Sequence, residues 1–314
     1  MRNMKNLYFS ALYGIAVTFA ILFLVSCSFE DGEDIYPYTS ALFVYQDYNR
    51  NIVVGEGLQI EAGITFAGMI DNKKDRIVEY VVDPSLVTSS NKSVLPPSYY
   101  TLGHASQIVI PKGKLKGYLP IIIDSTAFLK DPKSLTGEYI LPLRIISSPD
   151  VDSIPEATNH IRISVSYFAK QHGYYNYSGS VTKRKNGTTD DVVNYKNIST
   201  ETNSIRFLQT YGPTSFAVRY DQKNSADPAK DFIFLLQVPT NGSGAVTISP
   251  HPDSPVAVHS NGDCTYDAEN RTFHLSYKYT LPDGTVCEVL EDLIFRNRIR
   301  DVQDNGLYIN EWRW

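Results

Sequence analysis

The sequence predicts an all-β protein of two modules, an immunoglobulin-like β-sandwich followed by an antiparallel β-barrel or β-sandwich. Three observations carry this. No long helical periodicity follows the N-terminal apolar run. Short β-branched and aromatic runs recur throughout, separated by Gly, Pro, Asn and Asp, the pattern of strands joined by turns. The chain has 314 residues, which suggests two domains of ordinary size, each able to bury its own core.

Residues 1–26 read as a lipoprotein signal peptide. Arg2 and Lys5 make a basic head, Leu7 to Val25 is apolar apart from Ser10 and Thr18, and a small residue, Ser26, precedes Cys27. Leu24-Val25-Ser26-Cys27 resembles a bacterial lipobox, which implies that Cys27 is lipidated and becomes the mature N-terminus. The apolar run approaches the ~20 residues of a membrane span, but its downstream flank is acidic rather than basic. Residues 27–37 form an acidic tether, and Glu30-Asp31-Gly32-Glu33-Asp34 resembles the surface-export signal of Bacteroidota lipoproteins. The expected address is the outer membrane, lipid-anchored and facing the exterior. Losing Arg2 and Lys5 moves the formal charge from −5 to −7. Such a chain has no basic footprint for nucleic acid.

Residues 38–169 supply the first sandwich. Its candidate strands are "ALFVYQ", "LQIEAGITF", "RIVEYVV", "SQIVI", "GYLPIII", "EYILPLRII" and "HIRISVSYF". The last alternates cleanly, with Ile161, Ile163, Val165 and Tyr167 on one face and Arg162, Ser164 and Ser166 on the other. Pro120 and Pro142 fall inside strand patterns and predict edge strands or bulges.

The boundary lies at Ala169 to Gly173, and residues 173–314 hold the second module. "YYNYSGSVTKR", "SIRFLQT", "SFAVRY", "DFIFLLQV", "TFHLSYKYT" and "TVCEVLEDLIFRNRI" are antiparallel candidates with short links. A closed or half-closed barrel, or a second sandwich, would hide their edges. Cys264 and Cys287 fall on strands of two hairpins, with turns near Ala268-Glu269 and Pro282-Asp283-Gly284. Tight turns would set Cys264 opposite Phe273 and Cys287 opposite Lys278, about 17 Å apart at strand rise. That exceeds disulfide reach, so two free, mostly buried thiols are expected.

The chemistry-bearing residues give little support to catalysis. A glycosidase places two carboxyl groups about 5–5.5 or 6.5–9.5 Å apart, but the acids here sit in turn-like stretches: Asp71, Asp75, Asp190-Asp191, Asp283 and Glu291-Asp292. No Gly-x-Ser-x-Gly elbow occurs. His104, His160, His172, His251, His259 and His274 have no i, i+2 or i, i+4 spacing, and "DQKNSADPAKD" lacks the acid spacing and glycine of a calcium loop. No enzyme, metal or cofactor is expected.

Tyrosine is abundant, with 22 residues against two tryptophans. Tyr and Trp join an apolar ring to a polar tip, which suits stacking on the C–H face of a sugar. Tyr174, Tyr175 and Tyr177 cluster at the domain boundary, where sites often form, and Trp314 alternates with Trp312 at the terminus. These four are the candidate glycan contacts, while Tyr45 and Tyr167 read as core. Arg296, Arg298 and Arg300 alternate on one strand face and suit either an anionic sugar or ion pairs with Glu288, Glu291 or Asp292.

"LPPSYYTLGHASQIVIPKGKLKGYLPIIID" (95–124) with "GEYILPLRI" (137–145) resembles an N-terminal domain of unknown function common in Bacteroidota surface lipoproteins. "FRNRIRD" with the later "NEW" at 310–312 resembles the end of a second family that commonly follows the first. The link "DVQDNGLYI" between them is longer than that family's usual glycine turn. The resemblance implies a context of polysaccharide-utilisation loci, beside an outer-membrane transporter and its lipoprotein lid. It implies a non-catalytic glycan-binding lipoprotein that captures oligosaccharide for uptake. A structural or adaptor lipoprotein is the alternative, and a glycoside hydrolase a distant third.

Overall fold

The structure is a computed structural model and describes residues 38–196, 205–221, 232–240, 242–302 and 308–312. The predicted signal segment, Cys27, the acidic tether, Trp314 and all of the "DQKNSADPAKD" loop except Asp221 lie outside these residues. Among the described residues no helix is long and apolar enough to cross a membrane.

The first unit carries β1 (Ser40–Phe43), β2 (Asp47–Val53), β3 (Gln59–Ala67), β4 (Arg76–Val82), β5 (Ser93–Val94), β6 (Tyr100–Leu102), β7 (Gln107–Ile110), β8 (Lys116–Ile123), β9 (Tyr139–Ser147) and β10 (His160–Phe168). One sheet runs β1-β3-β8-β6. The other runs β2-β10-β9-β4-β7, with β5 beside β9. Their inner faces share one core: Phe43, Ile64, Leu119 and Ile121 from the first sheet meet Val78, Tyr80, Leu141, Ile163 and Val165 from the second. That alternation of buried and exposed positions is what a two-sheet sandwich requires. Two short helices, α1 (Ser125–Phe128) and α2 (Lys133–Thr136), join β8 to β9. Asp124 caps α1 by accepting from the Thr126 and Ala127 amides.

Pro120 and Pro142 sit in β8 and β9, which have neighbours on both sides, so they mark neither edge strands nor bulges. Their carbonyls accept from Gly103 and Asp83, each the residue just after β6 or β4 has ended. A residue's N–H and C=O point to the same antiparallel neighbour. The missing proline N–H therefore faces the place where the neighbouring strand has already stopped, and no ladder bond is lost.

The second unit contains β11 (Gly173–Lys185), β12 (Thr188–Lys196), β13 (Ile205–Thr210), β14 (Ser215–Asp221), β15 (Ile233–Gln237), β16 (Gly244–Ala245), β17 (Thr247–Pro250), β18 (His259–Ser260), β19 (Thr265–Asp267), β20 (Thr272–Thr280), β21 (Val286–Val302) and β22 (Tyr308–Trp312). They form one sheet in the order β16-β19-β20-β21-β11-β13-β14-β15-β17, with β12 beside β11, β18 beside β20 and β22 beside β21. The sheet curls until β17 approaches β18, where the Ile248 amide donates to Ser260 Oγ at 3.3 Å. The concave side holds Tyr175, Phe216, Phe234, Phe273, Tyr277 and Phe295. Of the two architectures left open by the pattern, the curled half-barrel is the one formed.

Cys264 and Cys287 are free and buried. The Leu281 amide donates to the Thr285 carbonyl across the turn between β20 and β21, so Cys287 falls opposite Tyr279 rather than Lys278. The β19–β20 pairing places Thr265 opposite His274, so the register runs two residues away from the one that would set Cys264 opposite Phe273. Burial pushes both thiols above the ordinary cysteine range.

Candidate functional site

The chain leaves β1 at Phe43 and turns through residues 44–46 to reach the opposite sheet. This corner overhangs the outer face of β3 and β8, where it helps close a pocket of about 210 Å³. Tyr45 from the corner and Tyr48 from β2 lie with ring planes 6° apart and centroids 5.7 Å apart. Arg50, two residues further along the same strand face, sets its guanidinium 4.2 Å from the Tyr48 ring centroid. That distance is within cation–π range. From the other side Tyr118, 52% exposed, pairs across β8–β3 with Gly63. A Cβ on Gly63 would meet the Tyr118 ring at 3.3 Å, so glycine is what lets that ring lie close to the sheet. Glu61 and Lys116 complete the rim.

This arrangement offers both apolar ring faces and polar groups to a small molecule. Three aromatic rings supply apolar faces, and a guanidinium, a carboxylate and an ammonium supply groups for hydroxyls at the rim. One carboxylate, Glu61, lines it. Among the described residues no group of three or more His, Cys, Asp or Glu side chains is gathered as a metal ion would need.

The tyrosines expected at the boundary are placed differently. Tyr175 is fully buried between Phe273 and Phe295, and its hydroxyl donates to the Gln171 carbonyl at 2.7 Å. Tyr177 is also buried, with the Arg206 guanidinium 4.0 Å from its ring centroid. These rings fill the half-barrel and offer no face to a ligand. The cause is strand alternation: Tyr175 and Tyr177 share the concave side of β11. Tyr174, on the other side, is half-buried against Phe207 at 4.8 Å. Tyr167 is core as expected, but Tyr45 is only half-buried and lines the pocket.

The arginine pattern is also re-aimed. On β21 Phe295 pairs with Tyr175 and Asn297 with Tyr174, so Arg296 is an extra residue without its own place in that ladder. This bulge breaks the expected alternation. Arg298 turns inward, 1% exposed, and reaches Glu56 in the first unit and the Lys170 carbonyl. Glu288, Glu291 and Asp292 pair instead with Arg184, Arg206 and His274, respectively. Arg206 and Glu291 form a fully buried pair at 2.8 Å, and the Tyr277 hydroxyl donates to the second carboxylate oxygen at 3.0 Å. Both partners point into the half-barrel, which makes this a structural network.

His172 sits at the junction of the units. Its ring stacks on Phe168 at 3.9 Å, and its Nδ1 accepts from the Thr210 amide at 3.1 Å. Burial first, and the nearby Arg298 charge second, push its pKa down to about 3. It is therefore a neutral packing element.

No signal in the sequence singled out the pocket. Tyr48 and Arg50 share a strand face by simple alternation, but the Gly63–Tyr118 pairing joins segments that are far apart in the chain.

A family model describing an N-terminal domain matches residues 36–152, and one describing a C-terminal domain matches residues 163–293. No curated protein matches. A crystal structure of a protein of unknown function from Bacteroides ovatus superposes with a TM-score of 0.66 at 20% identity, covering 88% of this chain and 98% of the other. A crystal structure called an auxiliary nutrient binding protein, from Bacteroides thetaiotaomicron, has a TM-score of 0.43 at 12% identity, covering 80% of this chain and 92% of the other. The consecutive domain matches and the likeness to a Bacteroides structure over most of both chains fit a two-domain Bacteroidota protein.

Proposed function

We propose that this protein is a non-catalytic, lipid-anchored cell-surface protein that captures oligosaccharide and delivers it to an outer-membrane transporter with its lipoprotein lid. The observation that carries the reading is the pocket of Tyr45, Tyr48 and Tyr118 with Arg50, Glu61 and Lys116 at its edge. Its volume suits a single sugar ring, and its open form suits weak, reversible capture. A glycan array probed with the purified protein tests it. Binding to at least one glycan class is expected, reduced about tenfold by Tyr48→Ala, the cost of one stacked ring. Silence of a folded sample across a broad array overturns the reading. The anchor is tested separately: Cys27→Ser is expected to release the protein from the membrane fraction, and a wild-type product without acyl chains in mass spectrometry overturns that part.

The second reading is an adaptor that holds a transporter complex together. It is favoured by the outer face of the six-stranded sheet, where Ile77 pairs with Val109 and both, with Val81 and Ile146, are exposed. An apolar patch of that kind suits a protein partner. Retained transporter association in a Tyr48→Ala variant that has lost all sugar binding would favour it.

A further inference from the structure

A cleft between the two units measures about 660 Å³, roughly three times the tyrosine pocket. One wall is the α1–α2 segment of the first unit, and the other is the turn from β13 to β14 in the second. Both walls are fixed in place. Asp131, in the first wall, accepts hydrogen bonds from the Tyr99 and Tyr139 hydroxyls and caps the Lys133 amide. Those bonds, led by the one from Tyr139, hold its carboxyl below the usual range. In the second wall the Tyr211 and Gly212 amides both donate to the Ser215 carbonyl, and Val238 donates to the Thr214 carbonyl. In the floor Tyr167 donates to the Leu129 carbonyl within the first unit, and at the junction Thr210 Oγ accepts from the Ala169 amide.

Into this cleft comes Tyr211, 50% exposed, its ring braced edge-on against His251 at 5.6 Å. Leu129, Leu135 and Pro213 supply apolar surface around it, and Lys130 and Gln209 supply polar groups. A half-exposed aromatic ring, fixed from behind and flanked by both kinds of surface, matches a chain of pyranose rings, whose faces are apolar and whose edges carry hydroxyls. The volume lies within the ~300–1,000 Å³ of small-molecule sites, and a wall that is already ordered loses little freedom on binding.

We propose that the interdomain cleft is a second saccharide site, built around Tyr211, that takes several consecutive sugar units while the tyrosine pocket takes one ring. This rests on the glycan-binding reading above. Two sites on one body raise the apparent affinity for long chains through effective concentration, and short oligosaccharides gain less from the arrangement.

The test is affinity electrophoresis of the purified protein through gels containing xylan, α-mannan, laminarin, pullulan, arabinogalactan or polygalacturonate, followed by titration with a hexasaccharide and a disaccharide of the retained polymer. Tyr211→Ala is expected to weaken hexasaccharide binding about tenfold, the equivalent of one stacked ring, and to leave disaccharide binding in the tyrosine pocket within twofold. Gln209→Ala, at an exposed position, gives an independent variant with the same direction, and both are checked by thermal melting. If Tyr48→Ala abolishes retention while Tyr211→Ala and Gln209→Ala change nothing, the cleft proposal is overturned and the function stands. If the folded wild-type protein is retained by none of the six polymers, both are overturned. Loss of hexasaccharide binding in both cleft variants supports the second site.

Discussion

Arg298, near the end of β21, donates through Nη2 to both carboxylate oxygens of Glu56 at 3.0 and 3.1 Å, across the junction of the two units. Glu56 sits in a turn between Gly55 and Gly57, whose φ values of +87° and +110° favour glycine. The turn thus projects its one carboxylate toward the neighbouring unit. The guanidinium is almost wholly buried, while the carboxylate is about a third exposed.

Removing Glu56 leaves a buried cation with one acceptor fewer. Glu56→Gln is expected to destabilise by about 1–2 kcal/mol, at the lower end for charged hydrogen bonds because the carboxylate is partly solvated. Arg298→Ala is expected to cost more, since packed surface goes with the charge. Denaturant unfolding checks this. A second transition appearing in Arg298→Ala would show that the pair couples the units, and unchanged stability in both variants would show that it does not.

The Arg206–Glu291 pair behaves differently because neither partner sees water. Glu291→Ala strands the guanidinium inside the half-barrel and is expected to cost about 3–5 kcal/mol. Replacing both partners together, as Arg206→Met with Glu291→Leu, is expected to recover most of that loss. A double variant as unstable as the single one in urea melts would refute the assignment.

His172 links stability to pH. Its folded pKa of about 3 lies below the ~6.5 of an unfolded histidine. Between those values the unfolded chain binds the proton and the folded one does not. Stability contributed by this group is thus complete above pH ~6.5 and falls on acidification, by at most ~1.4 kcal/mol per pH unit. His172→Gln is expected to flatten the stability profile between pH 7 and 5. An identical slope in wild type and variant would rule the linkage out.

Gly179 tests the closeness of β11 to β21. A Cβ there would lie 2.0 Å from the Leu290 carbonyl oxygen, a backbone atom that cannot rotate away. Gly179→Ala is expected to destabilise by more than about 2 kcal/mol, measurable by thermal melting. The same change at Gly113, whose added Cβ would meet nothing within 4 Å, separates this clash from the φ effect, because Gly113 has φ +74° and Gly179 does not require positive φ.

The fold class was legible because alternation is local. "HIRISVSYF" becomes β10 over its full length, and its apolar face enters the core. The buried free thiols followed from hairpin reach, even though the register was off by one residue at Cys287 and by two at Cys264. What local pattern does not carry is the partner across a sheet. Pro120 and Pro142 looked like edge markers because their neighbours' end points are encoded elsewhere in the chain. Tyr175 and Tyr177 looked like a ligand cluster because the curl that makes their side of β11 concave is a property of the whole sheet. The pocket stayed hidden for the same reason: Tyr45, Gly63 and Tyr118 meet only once three separated segments have paired.

The extra residue on β21 has a further consequence for how this protein tolerates insertion and deletion. Arg298 faces inward only because one position upstream breaks the two-residue count. Excising Arg296 removes the extra residue and leaves Arg298 two positions after Phe295, which also faces inward, so the guanidinium keeps its side. A one-residue deletion at this point should therefore be tolerated better than one earlier in β21, where the lost count would turn the buried face of the strand outward.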